Sequence, residues 1–503
     1  MSDAAPQPYS PRQRTALVLA GTGTAGAYQA GVLRALAEAG VRIDLVAGRG
    51  MGAVTALYAA VDAAATLWEP GGIWTGPSRP RLYPWRTIWK VSGAQLAVAV
   101  LCLAAPLIVL VALAVAWLPA FLLELAAPPL AGRFTTTLAE WAFWVTRGET
   151  ATAAVSRAAG AAILVLALTM LTAALLDRLR GARRARGAPW WQALGAPLDA
   201  RPAVEWALDG FWNVMKGATR LARPDAVDLG RRYAELLGDN LTQPGYRELL
   251  IAAHDVETRR DVIFALLHED ARPRFFGAGV DDQRRAEVVD LAGDGGRHVV
   301  DAIGGALAVP WLAEPHVIRF DPTGFWRGES HRICDRPAAI VRLLEEVSAA
   351  GAEQVIVVTS DVAVDRPHAL RARAVEPRAR LAEIVAGAEA SAARDALTAL
   401  FDRFSGVYQI QPTHNAVGLF DADGSYDERS DRRQSVRELV DLGAEDAQRQ
   451  FIDPVLGASG DELERAESRP SSTPPGAHEA PLPRVTPRPS DAPSIAERLA
   501  SLD

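Results

Sequence analysis

The chain contains 503 residues, 49% of them hydrophobic, and carries a formal net charge of −7. This length accommodates one large domain or two to three ordinary ones. The acidic balance, with no basic stripe outside the flanks of two apolar runs, excludes a nucleic-acid partner. The two cysteines, Cys102 and Cys334, have no metal-ligand spacing with the histidines, so neither a metal nor another cofactor is expected.

The first part of the chain alternates between strand and helix patterns. Residues 15–20 form a short apolar run that predicts a buried parallel strand, and residues 43–47 predict a second one. Residues 26–39 have apolar side chains at helical spacing, and residues 52–65 predict another helix. This alternation indicates an α/β fold with a mostly parallel central sheet covered by helices.

Two long uncharged runs, residues 91–123 and 158–176, interrupt this pattern. About 20 apolar residues are enough to cross the bilayer core, so we predict an inserted transmembrane hairpin with spans at about 94–123 and 158–176. A buried core helix is the alternative for each run. Arginine and lysine flank the outer ends of the hairpin, and the positive-inside rule then places both termini and the α/β domain in the cytoplasm.

These features divide the chain into five parts. Residues 1–14 predict a flexible N-terminus without the apolar core of a secretory signal. The α/β domain is expected over residues 15–78 and 191–457, with the hairpin inserted at residues 79–190. Residues 458–503 are rich in Pro, Ser, Glu and Arg, which predicts a disordered tail that offers a site for a protein partner.

The second part of the α/β domain has weaker signals. Residues 338–350 and 379–404 predict helices. Residues 354–359 and 407–412 predict strands, the first of them followed by Ser360 and Asp361. His254 and Asp255 are adjacent in the sequence, but their neighbours indicate a surface helix.

The first strand ends in a glycine turn that contains Gly21, Gly23 and Gly26. A dinucleotide site is one interpretation, because such a turn can hold a pyrophosphate at a helix N-terminus. That site requires an acid at the carboxyl end of the second strand, whereas Asp44 precedes its core. The other interpretation is a loop whose backbone amides stabilise an oxyanion.

The second glycine turn consists of Gly48, Arg49, Gly50, Met51 and Gly52. It has the outer glycines of the G-x-S-x-G turn, which places a serine on a sharp connection between a strand and a helix. Glycine occupies the central position, so this turn carries no nucleophilic side chain.

The stretch GTGTAGAYQAGVLRALAEAGVRIDLVAGRGMGA, residues 21–53, resembles the start of patatin-like phospholipases. The resemblance extends more loosely over residues 206–457. It implies a three-layer α/β fold that cleaves acyl esters of lipids with a Ser–Asp dyad and no metal. It also implies that Gly21, Gly23 and Gly26 form the oxyanion loop. Gly50 replaces the nucleophilic serine, and Ala25 stands where the family usually has Arg or Lys.

The family's aspartate belongs to a D-G-G or D-G-A turn before a valine-rich strand. The best match by resemblance is Arg327-Gly328-Glu329, in which Arg327 replaces the aspartate. Asp335-Arg336-Pro337 matches the family's later N-x-P. We predict that this segment, which also contains His331, faces Gly50. Both positions of the dyad would then be degenerate.

Several other side chains are candidate functional residues. Thr22, Thr24 and Thr55 are possible nucleophiles, although each is also an ordinary turn or helix residue. Cys334 with His331 is a possible thiolate pair, against a buried cysteine beside a solvated histidine. Glu329 and Asp335 have Arg327, Arg332 and Arg336 around them, which predicts a salt-bridge network. An acid/base pair, or an anionic lipid head group bound by these arginines and Arg49, are the alternatives.

The sequence thus supports three functional hypotheses. The first is a membrane-anchored, catalytically impaired patatin-like protein that binds membrane lipids or acyl chains. The second is an active lipid acyl hydrolase with a non-standard nucleophile. The third is a nucleotide-binding membrane module.

Overall fold

The computed structural model describes residues 9–76, 81–126, 132, 135–140, 143, 149–179, 194–217, 221–277, 287–362, 376–413, 425–427 and 432–457. The tail predicted at 458–503 lies outside the described residues, as does most of the N-terminus predicted at 1–14. The described residues all belong to one compact unit of the chain.

The centre of this unit is a mostly parallel sheet. Its strands are β1 (Thr15–Gly21), β2 (Leu45–Gly50), β3 (Glu248–Asp255), β4 (Arg260–Leu266), β5 (Val288–Asp290), β6 (His316–Arg319), β7 (Ser330–Cys334), β8 (Gln354–Val358) and β9 (Gly406–Ile410). The main path runs β5-β4-β3-β2-β1-β8-β9, while β7 pairs with β3 and β6. Strands β3, β2, β1, β8 and β9 are parallel, and the pairs β3–β4, β3–β7 and β6–β7 are antiparallel. A separate short pair joins β10 (Ser425–Asp427) and β11 (Arg432–Gln434).

Helices cover the sheet and form the hairpin. The α-helices include α1 (Ala25–Glu38), α2 (Met51–Ala60), α3 (Thr87–Ala126), α4 (Glu149–Leu179), α5 (Arg201–Lys216), α6 (Ala226–Asn240), α7 (Arg272–Gly277), α8 (Val299–Leu307), α9 (Ala339–Ala349), α10 (Pro377–Leu400) and α11 (Val436–Ala447). A π-helix, Gln448–Leu456, continues from α11, and short 3-10 helices lie at Ala64–Leu67, Gly293–His298 and Phe401–Arg403.

The sheet is the middle layer of three because successive side chains of a strand point to opposite faces. Leu17 and Leu19 of β1 pack with helices α1, α2 and α11 in one apolar cluster. Ala16 and Val18 belong to a second cluster formed with α9 and α10. Strand β1 is fully buried along its length, as expected for a parallel strand covered on both sides. The predicted mostly parallel α/β fold is therefore confirmed.

The two apolar runs form the long helices α3 and α4. Within them, Thr87–Ala104 and Val155–Thr172 are 11% and 6% buried, and each is long and apolar enough to cross a membrane. The two helices contact each other, with the Gln95 side-chain amide donating to Thr169 Oγ1 at 3.3 Å. Their length and composition agree with the predicted hairpin, and their exposure distinguishes them from helices buried in a core.

Local predictions in the second part of the domain are confirmed within a few residues for α9, β8, α10 and β9. The prediction of a helix at His254 and Asp255 is wrong, because these residues end strand β3. The antiparallel pairing of β3 with both β4 and β7 stabilises this segment as a strand. A local pattern cannot show such long-range pairing.

Candidate active site

The second glycine turn forms a sharp elbow between β2 and α2. Gly50 ends the strand and begins the helix with φ 59° and ψ −135°, a conformation that is strained for residues with a side chain. A Cβ atom at Gly48 would overlap the carbonyl oxygen of Gly52, and one at Gly52 would overlap that of Leu19. The outer glycines are therefore required by the close crossing of strand and helix.

The central position of the elbow has little room for a side chain. Gly21 lies opposite Gly50 in the register of β1 and β2. A Cβ atom at Gly50 would overlap the carbonyl oxygen of Gly21, and Asp335 Oδ2 would lie 3.2 Å from it. The backbone has the shape of a nucleophile elbow, but a serine there would require Gly21 to move.

The first glycine turn leads from β1 into α1 beside this elbow. Gly21 and Gly23 have φ angles of 151° and 60°, which favour glycine. Gly26 lies under the buried ring of Trp74, whose Cζ2 would be 2.5 Å from an added Cβ atom. The first glycine turn therefore packs tightly against the side chain of Trp74.

A dinucleotide site at this turn would need an acid at the carboxyl edge of the sheet, and Asp44 is not at that edge. Asp44 lies at the amino edge of the sheet, where its carboxylate accepts a 2.9 Å hydrogen bond from the backbone N–H of Thr15, the first residue of β1. The glycine turn lies at the opposite, carboxyl edge.

Arg49 and Asp335 form a buried ion pair directly beside Gly50. The guanidinium donates two hydrogen bonds to the carboxylate, from Nε to Oδ1 at 3.1 Å and from Nη2 to Oδ2 at 2.7 Å. Both side chains are 1% exposed. Such a two-point contact fixes the orientation of both groups.

A second carboxylate, Glu389 of α10, completes the cluster. Its Oε1 accepts hydrogen bonds of 2.7 Å from Arg49 Nη2 and from the Thr22 hydroxyl. Its Oε2 accepts a 3.1 Å hydrogen bond from the hydroxyl of Ser360, which follows β8. The residues meet because strands β1, β2, β7 and β8 all end at this edge of the sheet.

One guanidinium in this cluster faces two carboxylates. Burial alone would lower the pKa of Arg49, but Asp335 and Glu389 outweigh it and hold that pKa above its ordinary value. Burial, followed by the same two carboxylates, also raises the pKa of Tyr83 well above its usual range. Arg49 is thus a permanent cation, and Tyr83 is a neutral phenol near the site.

The family of the chain follows from its sequence over this region. A family model for patatin-like phospholipases matches residues 17–331, which is more than half of the chain. The chain belongs to the patatin-like phospholipase family. Membership indicates a function at lipids. The matched region contains both glycine turns and both apolar helices, and it ends before Asp335.

Other comparisons add little to this assignment. No curated protein matches the chain. Among solved structures, the crystal structure of VipD from Legionella pneumophila is similar at 12% identity, over 89% of this chain and 67% of that one, with a TM-score of 0.31. A likeness this weak supports no functional argument.

In this patatin-like chain, the segment predicted to face the elbow reaches it through Asp335. Arg327 lies instead in the connection between β6 and β7, with φ 45°, and its backbone N–H donates to the carbonyl oxygen of Gly324. Gly328 adjoins it in the same connection, with φ 80°. The geometry therefore favours Asp335 over Arg327 as the residue that faces Gly50.

The pair of Cys334 and His331 is not arranged as an activated thiolate. The ring of His331 contacts Asp255 through Nδ1 at 2.7 Å and Glu329 through Nε2 at 3.4 Å. Burial, followed by the nearby Asp335 charge, raises the pKa of the Cys334 thiol to about 12. A thiol with that pKa is protonated at neutral pH and is a poor nucleophile.

The predicted salt-bridge network of this segment has different partners. Arg332 binds Glu257 with an Nε–Oε1 distance of 2.6 Å, and Arg336 binds Asp261. Glu329 and Asp335, the acids predicted to pair with these arginines, have other partners. Asp335 binds Arg49, and Glu329 contacts His331. Arg332 lies in strand β7 and pairs with the connection between β3 and β4, whereas Arg336 follows β7 and pairs with β4. Sequence spacing does not reveal these partners.

Sequence analysis assigned no functional role to three residues in or near the cluster, namely Glu389, Ser360 and Tyr83. Glu389 lies within a charged helix, and only its helical position one turn from Val385 and three residues before Ala392 indicates a buried face. Ser360 follows a predicted strand, which was a usable signal. Tyr83 precedes the first apolar run and carries no pattern.

Among the described residues, no group of His, Cys, Asp and Glu could hold a metal ion.

Proposed function

We propose that this protein is a membrane-anchored, catalytically silent member of the patatin-like phospholipases that binds lipids or acyl chains without cleaving them. One observation carries the proposal. The elbow has glycine where the nucleophile belongs, and Asp335, the carboxylate that faces this position, is bound by Arg49.

Hydrolysis of an acyl ester requires a nucleophile and a group that activates it. Gly50 has no side chain to supply the first. Asp335 resembles the dyad aspartate by position, yet its two oxygens accept hydrogen bonds from a guanidinium that does not give up its proton. Arg49 alone therefore provides a hydrogen bond to each oxygen of Asp335, so this carboxylate does not need a substrate group as its partner.

The proposed anchor is the hairpin of α3 and α4, with both termini in the cytoplasm. Tyr83 lies just before α3 and donates a 3.1 Å hydrogen bond to the carbonyl oxygen of Leu307. The next residue, Ala308, accepts a 2.9 Å hydrogen bond from the backbone N–H of Asp335. The base of the hairpin is thus connected to the degenerate site through two hydrogen bonds, which supports a role at the membrane surface.

The decisive experiment measures hydrolysis of phospholipid and of short acyl esters by the detergent-purified protein, together with labelling by an acyl-phosphonate probe. We expect neither turnover nor labelling in the wild type. Gly50→Ser alone should stay silent because Arg49 still binds Asp335. Gly50→Ser/Arg49→Ala/Glu389→Ala frees that aspartate and should gain labelling. Native mass spectrometry of the wild type should detect retained lipid. Robust turnover by the wild type would overturn the proposal.

An active hydrolase with a non-standard nucleophile is the second candidate, and one observation favours it. The hydroxyls of Thr22 and Ser360 both donate to the Glu389 carboxylate, at 2.7 and 3.1 Å. A carboxylate in this position can accept the proton of an attacking hydroxyl. Loss of wild-type turnover in Thr22→Val or in Ser360→Ala, with turnover retained in Cys334→Ala, would establish this mechanism.

A further inference from the structure

Trp311 is an exposed aromatic residue in a strained backbone conformation. Its side chain is 82% exposed, and its φ angle is 62°. A bulky side chain at positive φ is a rare outlier, and strain of this kind persists where the surroundings hold the chain in place. The fold therefore holds a large apolar ring in solvent at an energetic cost, which calls for a partner that covers it.

The segment after Trp311 is attached to the base of the hairpin. The carbonyl oxygen of Leu312 accepts a 2.7 Å hydrogen bond from the backbone N–H of Leu198. Leu198 also forms β-bridges with Trp85, just before α3, and with Ala313. The exposed ring consequently lies near the two points at which the hairpin leaves and rejoins the domain.

One ion pair and one backbone hydrogen bond strengthen this attachment. Glu314 accepts hydrogen bonds from Arg86 Nη1 at 3.0 Å and from the backbone N–H of Ala196 at 2.7 Å. Arg86 immediately precedes α3, whose first residue is Thr87. The acid beside Trp311 is thus neutralised by a residue of the hairpin base.

The chain beyond this attachment adds apolar and cationic side chains. On β6, Val317 and Arg319 are exposed while Ile318 between them is buried, as strand alternation requires. In the connection to β7, Phe325 and Arg327 are exposed. Within the part of the chain that the structure describes, neither Arg319 nor Arg327 forms an ion pair. We call these residues the Trp311 surface: Trp311, Val317, Arg319, Phe325 and Arg327.

We propose that the Trp311 surface docks on the anionic surface of a phospholipid bilayer and turns the carboxyl edge of the sheet towards the membrane. Tryptophan favours the membrane–water interface, and arginines near an anionic leaflet are attracted to its head groups. The proposal rests on the membrane anchoring proposed above. A second copy of this chain is the competing occupant, and it predicts burial of Trp311 in detergent without any bilayer.

The test uses the full chain reconstituted in nanodiscs of two compositions, phosphatidylcholine alone and equal parts phosphatidylcholine and phosphatidylglycerol. An environment-sensitive fluorophore is attached in Trp311→Cys/Cys102→Ala. The matched control is Phe401→Cys/Cys102→Ala, because Phe401 is 48% exposed and precedes β9 at the amino edge of the sheet. Labelling of the native Cys102 in α3 reports separately on insertion of the hairpin.

The readout is quenching by lipids that carry a spin label near the head of the acyl chain. We expect several-fold stronger quenching at position 311 than at position 401, increased by phosphatidylglycerol. Equal quenching at the two positions, with Cys102 strongly quenched, would overturn the docking while leaving the anchor intact. Quenching at none of the three would overturn both proposals. A position-311 signal that changes with protein concentration in detergent would assign the surface to a second copy.

A separate experiment tests the two arginines of the Trp311 surface. Arg319→Gln/Arg327→Gln in the position-311 background should weaken docking on the phosphatidylglycerol discs, by about fivefold for each arginine near an anionic surface. Docking on phosphatidylcholine alone should change little. Loss of the phosphatidylglycerol effect supports the proposal, and an unchanged effect would remove these arginines from the surface.

Discussion

The carboxylate of Asp335 is bound at two points by the guanidinium of Arg49, the residue that directly precedes Gly50. Asp335 Oδ2 is also the side-chain atom that a Cβ atom at Gly50 would meet, at 3.2 Å. Arg49 thus takes the hydrogen bonds that a nucleophile at the neighbouring position would need. The absence of a side chain at residue 50 and the two-point contact between Arg49 and Asp335 are two parts of one arrangement.

Removing the cation of this cluster should be costly. Arg49→Met leaves Asp335 and Glu389 buried without a counter-charge, and we expect a loss of about 3–5 kcal/mol in the free energy of unfolding. Arg201→Met is the matched control, because Arg201 is 85% exposed in its pair with Asp199 and should cost less than about 1 kcal/mol. Chemical denaturation in detergent measures both. Equal losses would show that the buried pair has no special importance.

A methyl group at the elbow should destabilise the fold. Gly50→Ala adds a Cβ atom that overlaps the carbonyl oxygen of Gly21, at a position with φ 59°. Gly40→Ala is the control, since its φ is 68° but an added Cβ atom meets nothing within 4 Å. Gly40→Ala should lose about 1–2 kcal/mol of stability because of its positive φ alone. Gly50→Ala should lose about 1–3 kcal/mol more because of the added overlap. Similar melting temperatures for the two variants would contradict the steric account.

Replacement of Trp311 should show how much its strained backbone lowers the stability of the protein. Trp311→Gly removes the side chain and accommodates φ 62°, so we expect a gain of about 1 kcal/mol in stability. Trp311→Ala removes the ring but retains the strain, so it should leave stability nearly unchanged. Thermal unfolding in detergent compares the two. A destabilised Trp311→Gly would mean that the ring contributes packing that its exposure does not suggest.

Stability at acidic pH should depend on Asp261. Burial raises its pKa, but hydrogen bonds from His254 and Arg336 outweigh burial and hold the pKa below its ordinary value of 3.8. A depressed pKa in the folded state gives stability that is present above the unfolded-state pKa and is lost as the pH falls through the folded-state pKa. Asp261→Asn should therefore be less stable than wild type at pH 7, and the gap should close below about pH 4. A gap that is constant with pH would contradict this account.

Cys334 should resist alkylation in the folded protein. Its thiol is buried and has a pKa raised to about 12, so very little thiolate exists at pH 8. In Cys102→Ala, iodoacetamide should modify Cys334 only after unfolding, as peptide mass spectrometry would show. Rapid modification under native conditions would restore the cysteine as a candidate nucleophile.

Much of the first half of the site was predictable from local sequence. The strand, glycine turn and helix over residues 15–39 and the elbow at Gly50 are local features. Glycines at tight turns and apolar runs in buried strands leave patterns in a single segment. The two uncharged helices were also recognisable, because length and the absence of charge are local properties.

The second half of the site depended on contacts that local patterns do not encode. The resemblance matches Arg327 to the position of the family's aspartate, whereas the structure brings Asp335 to the elbow. The antiparallel β6–β7 hairpin places Arg327 in a connection and Asp335 at the end of a strand. Glu389 belongs to α10 and lies 340 residues beyond Arg49 in the chain.

The sequence alone determined that residue 50 cannot be a nucleophile, because the identity of a side chain needs no structure. Only the tertiary structure decided which charged side chains surround that residue. Arg49, Asp335 and Glu389 lie far apart in the chain. They meet because β2 and the antiparallel strand β7 both end at one edge of the sheet, where α10 contributes Glu389. Burial then makes their pairing obligatory, since an unpaired charge in that position would destabilise the fold.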